Sequence, residues 1–228
     1  ARGYEKPGHF NQAVFLHIPA GLEEAPLRLA LEAVARRHDQ LRAVYRQNED
    51  GEPEQVVRPC DDGALYSLEI LDWENPEAGA VEAANGLAQG GLAQGGVDLE
   101  RGPLFRAVLH RVGDGHGQIS AGHHLLLCAH HLVVDGVSWR ILCEDLMEGY
   151  RQARDGREIR LPEKTASFGE WVRGLEEYAS RIESKELPWW EKVCREMAEG
   201  SAAAESIGGS WSCGETEMSL EEETTRRL

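Results

Sequence analysis

The sequence predicts an α/β fold in which strands are flanked by helices. Three observations carry this reading. Short strand-forming runs are bounded by turn residues, and amphipathic segments of helical period lie between and after them. The run "LLLCA" (125–129) is continuously apolar, as a strand covered on both faces requires. At 228 residues, with 41% hydrophobic and 28% charged residues, the chain is large enough to bury a substantial core.

The elements follow in order. "QAVFLHI" (12–18) is a strand and "PAGLEEAP" the loop after it. Pro26 suits a first helical turn, where a missing N–H costs nothing, and Leu27, Leu31, Val34 and Leu41 continue near helical spacing. That helix should end near His38, because "LRAVYRQ" is richer in strand formers. "NEDGEP" turns the chain into a second short strand, "EQVVRP", and "LYSLEIL" is a third. Residues 76–97 contain "GLAQG" twice in tandem. Their Glu, Ala and Leu favour helix and their glycines oppose it, so a frayed surface helix or a mobile loop is expected.

"PLFRAVLHRV" (103–112) alternates as a strand, "GDGHG" turns, and "QISAGHHLLLCAHH" (118–131) returns. Asp135-Gly136 ends that strand in a sharp turn, for which glycine's tolerance of positive φ is suited. "VSWRILCEDLMEGYRQARDG" (137–156) is a helix with one apolar stripe, stopped by Gly156. "SFGEWVRGLEEYASRI" (167–182) is a second late helix, with Ser167 and Glu170 spaced as a capping box. "ELPWWEKVCREMA" is a third. "GSAAAESIGGSWSCGE" has linker composition, "TEMSL" has the look of a strand beginning, and "EEETTRRL" that of a helix.

Composition excludes several classes. A net charge of −16 argues against nucleic acid or a membrane surface as partner, since either needs a basic face. No run approaches the roughly 18 apolar residues of a membrane helix. "ARGYEKPGHF" lacks the apolar core of a secretory signal. Cys60, Cys128, Cys143, Cys194 and Cys213 have no CxxC or regular spacing, so reduced thiols and a cytoplasmic location are expected. With no starting methionine, the chain is expected to be part of something longer.

Four histidines crowd "GHHLLLCAHH". An imidazole at the end of a buried strand is a natural proton acceptor near neutral pH. If 123–131 is one unbroken strand, His123 and His131 share a face with Leu125, Leu127 and Ala129, and His124 and His130 share the other. The two members of each pair then point apart, so at most one of His130 and His131 is a catalytic base. The same split disfavours a metal site, which needs converging ligands. His123 and His124, where the strand begins, are expected to be solvated or structural.

"HHLVVDGVSW" (130–139) resembles the HHxxxDGxS pattern of the condensation-type domains of nonribosomal peptide synthetases, whose lobes resemble chloramphenicol acetyltransferase. "HFNQAVFL" (9–16), "LEAVARRHDQLRAVY" and "LERGPLFRAVL" resemble further parts of that family in the same order. Trp139 after Ser138, "HFNQ", "LPEKTASFGEWVRGLEEYA" and "LPWW" look like its epimerization branch. The resemblance implies a mixed β-sheet with flanking helices. It divides the chain into an N-terminal lobe (1–182) and a segment of helix, linker and truncated second lobe (183–228).

It further implies inversion at Cα of an aminoacyl or peptidyl thioester carried on the phosphopantetheine of a peptidyl carrier protein domain, with no cofactor of the chain's own. Other synthetase modules would be partners, and neither nucleic acid nor membrane. By resemblance His131 is the base or the enolate-stabilising group, and a glutamate of the second lobe would face it. His130 would orient and pack, Asp135 and Gly136 would shape the loop, and Ser138 and Trp139 would begin the helix, with Trp139 packed. Arg36, Arg37 and Arg42 could form a basic patch for carrier docking. Peptide-bond formation and a non-catalytic carrier-docking lobe are the alternatives.

Overall fold

The structure is a computed structural model, and it describes residues 8, 10–19, 21–73, 97–112 and 122–205. Among the described residues, strands and α-helices appear in the order β1 (Asn11–Ile18), α1 (Glu24–Arg37), β2 (Ala43–Gln47), β3 (Pro53–Val57), β4 (Ser67–Trp73), β5 (Phe105–Val112), β6 (His123–His130), α2 (Gly136–Arg154) and α3 (Phe168–Glu205). The chain divides into two compact units, residues 1–170 and 171–228.

In the first unit the main sheet has the order β1-β6-β5-β4. The β1–β6 and β6–β5 pairs are antiparallel and β5–β4 is parallel, so the sheet is mixed. The strand with the apolar run, β6, is central. Its Leu125, Leu127 and Ala129 stand in register with Leu16, Val14 and Gln12 of β1 and with Leu109, Ala107 and Phe105 of β5. Together they face the core formed by Leu27, Ala30, Leu31 and Val34 of α1 and Leu142, Leu146 and Tyr150 of α2. Each fully buried leucine there contributes about 1.5–3 kcal/mol relative to exposure. Leu126 and Cys128, of opposite parity, are buried as well, which is why the sequence run is continuous rather than alternating.

The expected β2–β3 hairpin forms, with Ala43 opposite Val57 and Gln47 opposite Pro53. Helix α1 begins two residues before Pro26, which therefore occupies the first turn, and ends at His38, whose N–H reaches the Val34 carbonyl. Gly156 follows α2 with φ +67°, the left-handed conformation that stops a helix. Ser167 and Glu170 form the capping box: the Glu170 N–H donates to Ser167 Oγ at 3.2 Å, and the Ser167 N–H to Glu170 Oε2 at 2.6 Å.

Two expectations require correction. The helices expected over 167–182 and 186–198 are one helix, Phe168–Glu205, which also takes in the first residues of the expected linker. Residues 183–187 contain no helix breaker, and Pro188 forfeits one backbone hydrogen bond without ending the helix. Ala202–Ala204 are strong helix formers. The return strand stops at His130 rather than His131. The tandem "GLAQG" (86–95), residues 118–121 and the stretch from 206 onward lie outside the described residues, as does Cys213. Cys60, Cys128, Cys143 and Cys194 are free thiols. Among the described residues, no helix is long and apolar enough to cross a membrane.

Within the second unit α3 carries an exposed apolar series at helical spacing, Trp171, Leu175 and Tyr178, with Trp189 and Trp190 further on. The last two pack edge to face, ring centroids 4.5 Å apart.

Candidate active site

The site forms where β6 gives way to α2. The β1–β6 pairing continues one step past the strand, because the His131 N–H donates to the Phe10 carbonyl at 2.8 Å. The chain then turns: the Val133 N–H donates to the His130 carbonyl at 2.9 Å, and the Leu132 N–H to His130 Nδ1 at 3.2 Å. His130 is buried and its ring braces this turn. The Tyr45 hydroxyl, from the β2–β3 hairpin, donates to the Leu132 carbonyl at 2.9 Å and holds the turn from outside.

His131 leaves the strand half-buried, with three neighbours around its ring. Nδ1 lies 3.0 Å from the Val134 carbonyl. Nε2 lies 2.9 Å from the side-chain nitrogen of Gln12. Phe10 stacks on the ring at 4.9 Å between centroids and 13° between planes. Gln12 stands opposite Ala129 on the helix-covered face. The His131 ring thus meets that face, as unbroken parity would have had it, although the turn has already begun.

Asp135 is the N-cap of α2. Its Oδ1 accepts from the Ser138 N–H at 2.7 Å and from the Ser138 hydroxyl at 2.6 Å. The Ser138 hydroxyl and then the Ser138 amide, opposed by burial and aided by the Val137 amide, hold its carboxyl below the usual carboxylate range. A carboxyl depressed in the folded state contributes stability above its unfolded value, near 3.9, which is lost as pH falls through the folded value. Asp135→Ala is expected to cost about 1 kcal/mol at neutral pH, and Asp135→Asn much less. Thermal unfolding measured from neutral pH to below pH ~4 should show the gap between Asp135→Ala and the parent closing on the acid side.

Gly136 departs from expectation. It is the first residue of α2, its φ is not positive, and a Cβ there would meet nothing within 4 Å. The turn is made by the Asp135 cap instead. Gly136→Ala should therefore leave stability unchanged or raise it by up to about 1 kcal/mol, as thermal melting would record; a loss of stability would contradict this geometry. Trp139 is buried in the core, and its Nε1–H donates to Gln12 Oε1 at 3.0 Å.

The upstream pair sits at the far end of β6. His123 is buried and its Nδ1 accepts from the Leu22 N–H at 2.8 Å. His124 stacks on Phe15, and its Nε2 lies 3.0 Å from His17 Nδ1. Burial disfavours the charged form of both rings. Among the described residues, no group of three or more His, Cys, Asp or Glu is placed to hold a metal ion.

The expected basic patch does not form as one surface. Arg42 is buried; its guanidinium donates to the carbonyls of Arg58, Ala35 and Arg36 and to Asp39 Oδ1. Three carbonyls left over at the end of α1 and beside β3 use that side chain, so it is not available to a partner. Arg36 is exposed and pairs with Glu32, and Arg37 is half-buried. Three residues of the site carry no signal of their contacts in the sequence: Phe10, Gln12 and Tyr45. Phe10 and Gln12 lie in "HFNQ", which resembles the family, but they meet His131 only once β1 has paired with β6. Tyr45 reaches the turn from a separate hairpin.

A family model described as the Condensation domain matches residues 3–228. Tyrocidine synthase 2 of Brevibacillus parabrevis is 39% identical over 196 residues, which is 85% of this chain and 5% of that protein. The crystal structure of the epimerization domain from the third module of tyrocidine synthetase B superposes with a TM-score of 0.70 at 38% identity, covering 82% of this chain and 40% of that one. The first condensation domain of the calcium-dependent antibiotic synthetase gives 0.61 at 25% identity, over 76% and 39%. The chain therefore spans well under half the length of these solved domains.

Proposed function

Since the chain belongs to the condensation-domain family of nonribosomal peptide synthetases, we propose that it is the histidine-bearing lobe of an epimerization domain, inverting Cα of an aminoacyl or peptidyl thioester. The observation that carries this reading over peptide-bond formation is its 38% identity to a solved epimerization domain, against 25% to a solved condensation domain. The substrate would ride on the phosphopantetheine of a carrier domain, and other synthetase modules would supply and receive it.

The chemistry asks for a base beside an acidified C–H bond. The Cα proton next to a thioester is acidic because the carbanion's electron pair delocalises onto the thioester oxygen. His131 Nε2 would take that proton, and an acid on the opposite face would return one to Cα, giving the other configuration. Inversion needs both faces, and the second group would belong to the remainder of the domain. Asp135, Ser138 and His130 hold the turn that aims His131, and Tyr45 fixes the Leu132 carbonyl within it.

The test uses the full-length protein with a carrier loaded with an L-aminoacyl group and a second, acceptor-loaded carrier. Appearance of the D-aminoacyl carrier with no dipeptide supports epimerization. Dipeptide with retained L configuration would support condensation and overturn it. Carrier binding with neither product would leave a docking lobe.

A further inference from the structure

The hydrogen bonds around His131 leave only one proton arrangement that satisfies every partner. The Trp139 indole N–H can only donate, and its acceptor is Gln12 Oε1 at 3.0 Å. That fixes the Gln12 amide: its oxygen faces Trp139, so its NH2 group faces His131 Nε2 at 2.9 Å. An NH2 group can only donate, so Nε2 must accept. On the other side of the ring, the Val134 carbonyl can only accept, so Nδ1 carries the hydrogen. His131 is thereby neutral, with its proton on Nδ1 and a bare lone pair on Nε2.

We infer that Gln12 is the positioning residue for this lone pair, with Trp139 as the residue that sets the direction of its amide. The inference rests on the reading of His131 Nε2 as the proton acceptor. Gln12 holds the place of the C–H group: a substrate that displaces its NH2 meets a nitrogen already free of a proton. The reverse amide orientation would set Gln12 NH2 against the indole N–H, two donors facing each other beside a buried ring. Gln12 lies in "HFNQ" and Trp139 in "DGVSW", 127 residues apart, so two separate stretches of sequence converge on one imidazole.

The glutamate variant is the sharpest probe, because Gln12→Glu keeps the shape and replaces the donor by an acceptor. The ring then faces acceptors on both sides. In the full-length protein labelled with nitrogen-15 histidine, the His131 signals are identified by their loss in His131→Ala. The parent should show a protonated Nδ1 and an unprotonated, hydrogen-bonded Nε2 at neutral pH. In Gln12→Glu both nitrogens should be protonated, and Cα exchange at neutral pH should be lost. In Trp139→Phe, which releases the amide, the Nε2 signal should move while Nδ1 stays protonated. A proton on Nε2 in the parent, or a parent-like Nε2 signal in both variants, overturns the inference. If His131→Ala retains exchange while these spectra appear as expected, the base assignment fails and the Gln12 geometry stands. If His131→Ala abolishes exchange while Gln12→Glu keeps a bare Nε2, the reverse holds.

Discussion

His131→Ala should lower the rate of Cα proton exchange in the full-length protein by about 10²–10⁴-fold, the usual contribution of a general acid/base group. The loss should fall on the chemical step, because among the described residues the ring contacts the turn and its immediate neighbours. Those are the Val134 carbonyl, the Gln12 amide and the face of Phe10. Stability should fall by no more than about 1 kcal/mol, since each of the two lost hydrogen bonds is partly replaced by water at a half-buried site. Rates of exchange and a thermal melt on the same preparation check both halves. A variant that melts far earlier would mean His131 is a structural residue like its neighbour His130. That residue is buried within the turn, with its Nδ1 on the Leu132 amide, and its truncation should cost stability first.

Arg42→Ala should cost roughly 2–4 kcal/mol in folding stability. The guanidinium is the common donor for the carbonyls of Ala35 and Arg36 at the end of α1 and of Arg58 beside β3, and it meets Asp39 Oδ1 at 2.8 Å. Removing it strands several buried acceptors at once. Arg42→Lys should recover only part of the loss, because a single ammonium cannot reproduce the fork of donors. Chemical denaturation of the parent and the two variants gives the comparison. An unchanged midpoint in Arg42→Ala would show that these carbonyls find water instead. By contrast Arg36→Ala, which breaks an exposed pair with Glu32, should change stability by less than about 1 kcal/mol.

Much of this architecture is legible in local sequence because the physics is local. The end of α1 at His38, the capping box at Ser167, and the Gly156 stop depend on residues within one turn of each other. The strand at 123–130 is legible from its apolar run, and the separation of His130 from His131 from its period of two. What local sequence does not carry is the outcome of long-range pairing. Arg42 resembles a surface cation until the three backbone carbonyls around it are in place, and backbone carbonyls have no sequence signature. Gly136 resembles a turn glycine, but Asp135 makes that turn by capping α2, so the glycine's φ is ordinary. The break expected between residues 182 and 186 fails because that stretch contains no helix breaker, and Pro188 does not end the helix. Gln12 is recognisable only once β1 lies beside β6, which sets it opposite Ala129 and within reach of both His131 and Trp139.

The proposed role of His131 is to exchange a proton with Cα of a carrier-bound thioester. Its most direct measurement is deuterium uptake at Cα in deuterated water, starting separately from the L- and the D-aminoacyl carrier with the full-length protein. Both starting materials should take up deuterium and converge on one D/L ratio, and His131→Ala should do neither. Uptake that persists unchanged in His131→Ala, or no uptake by the parent from either configuration, would contradict it.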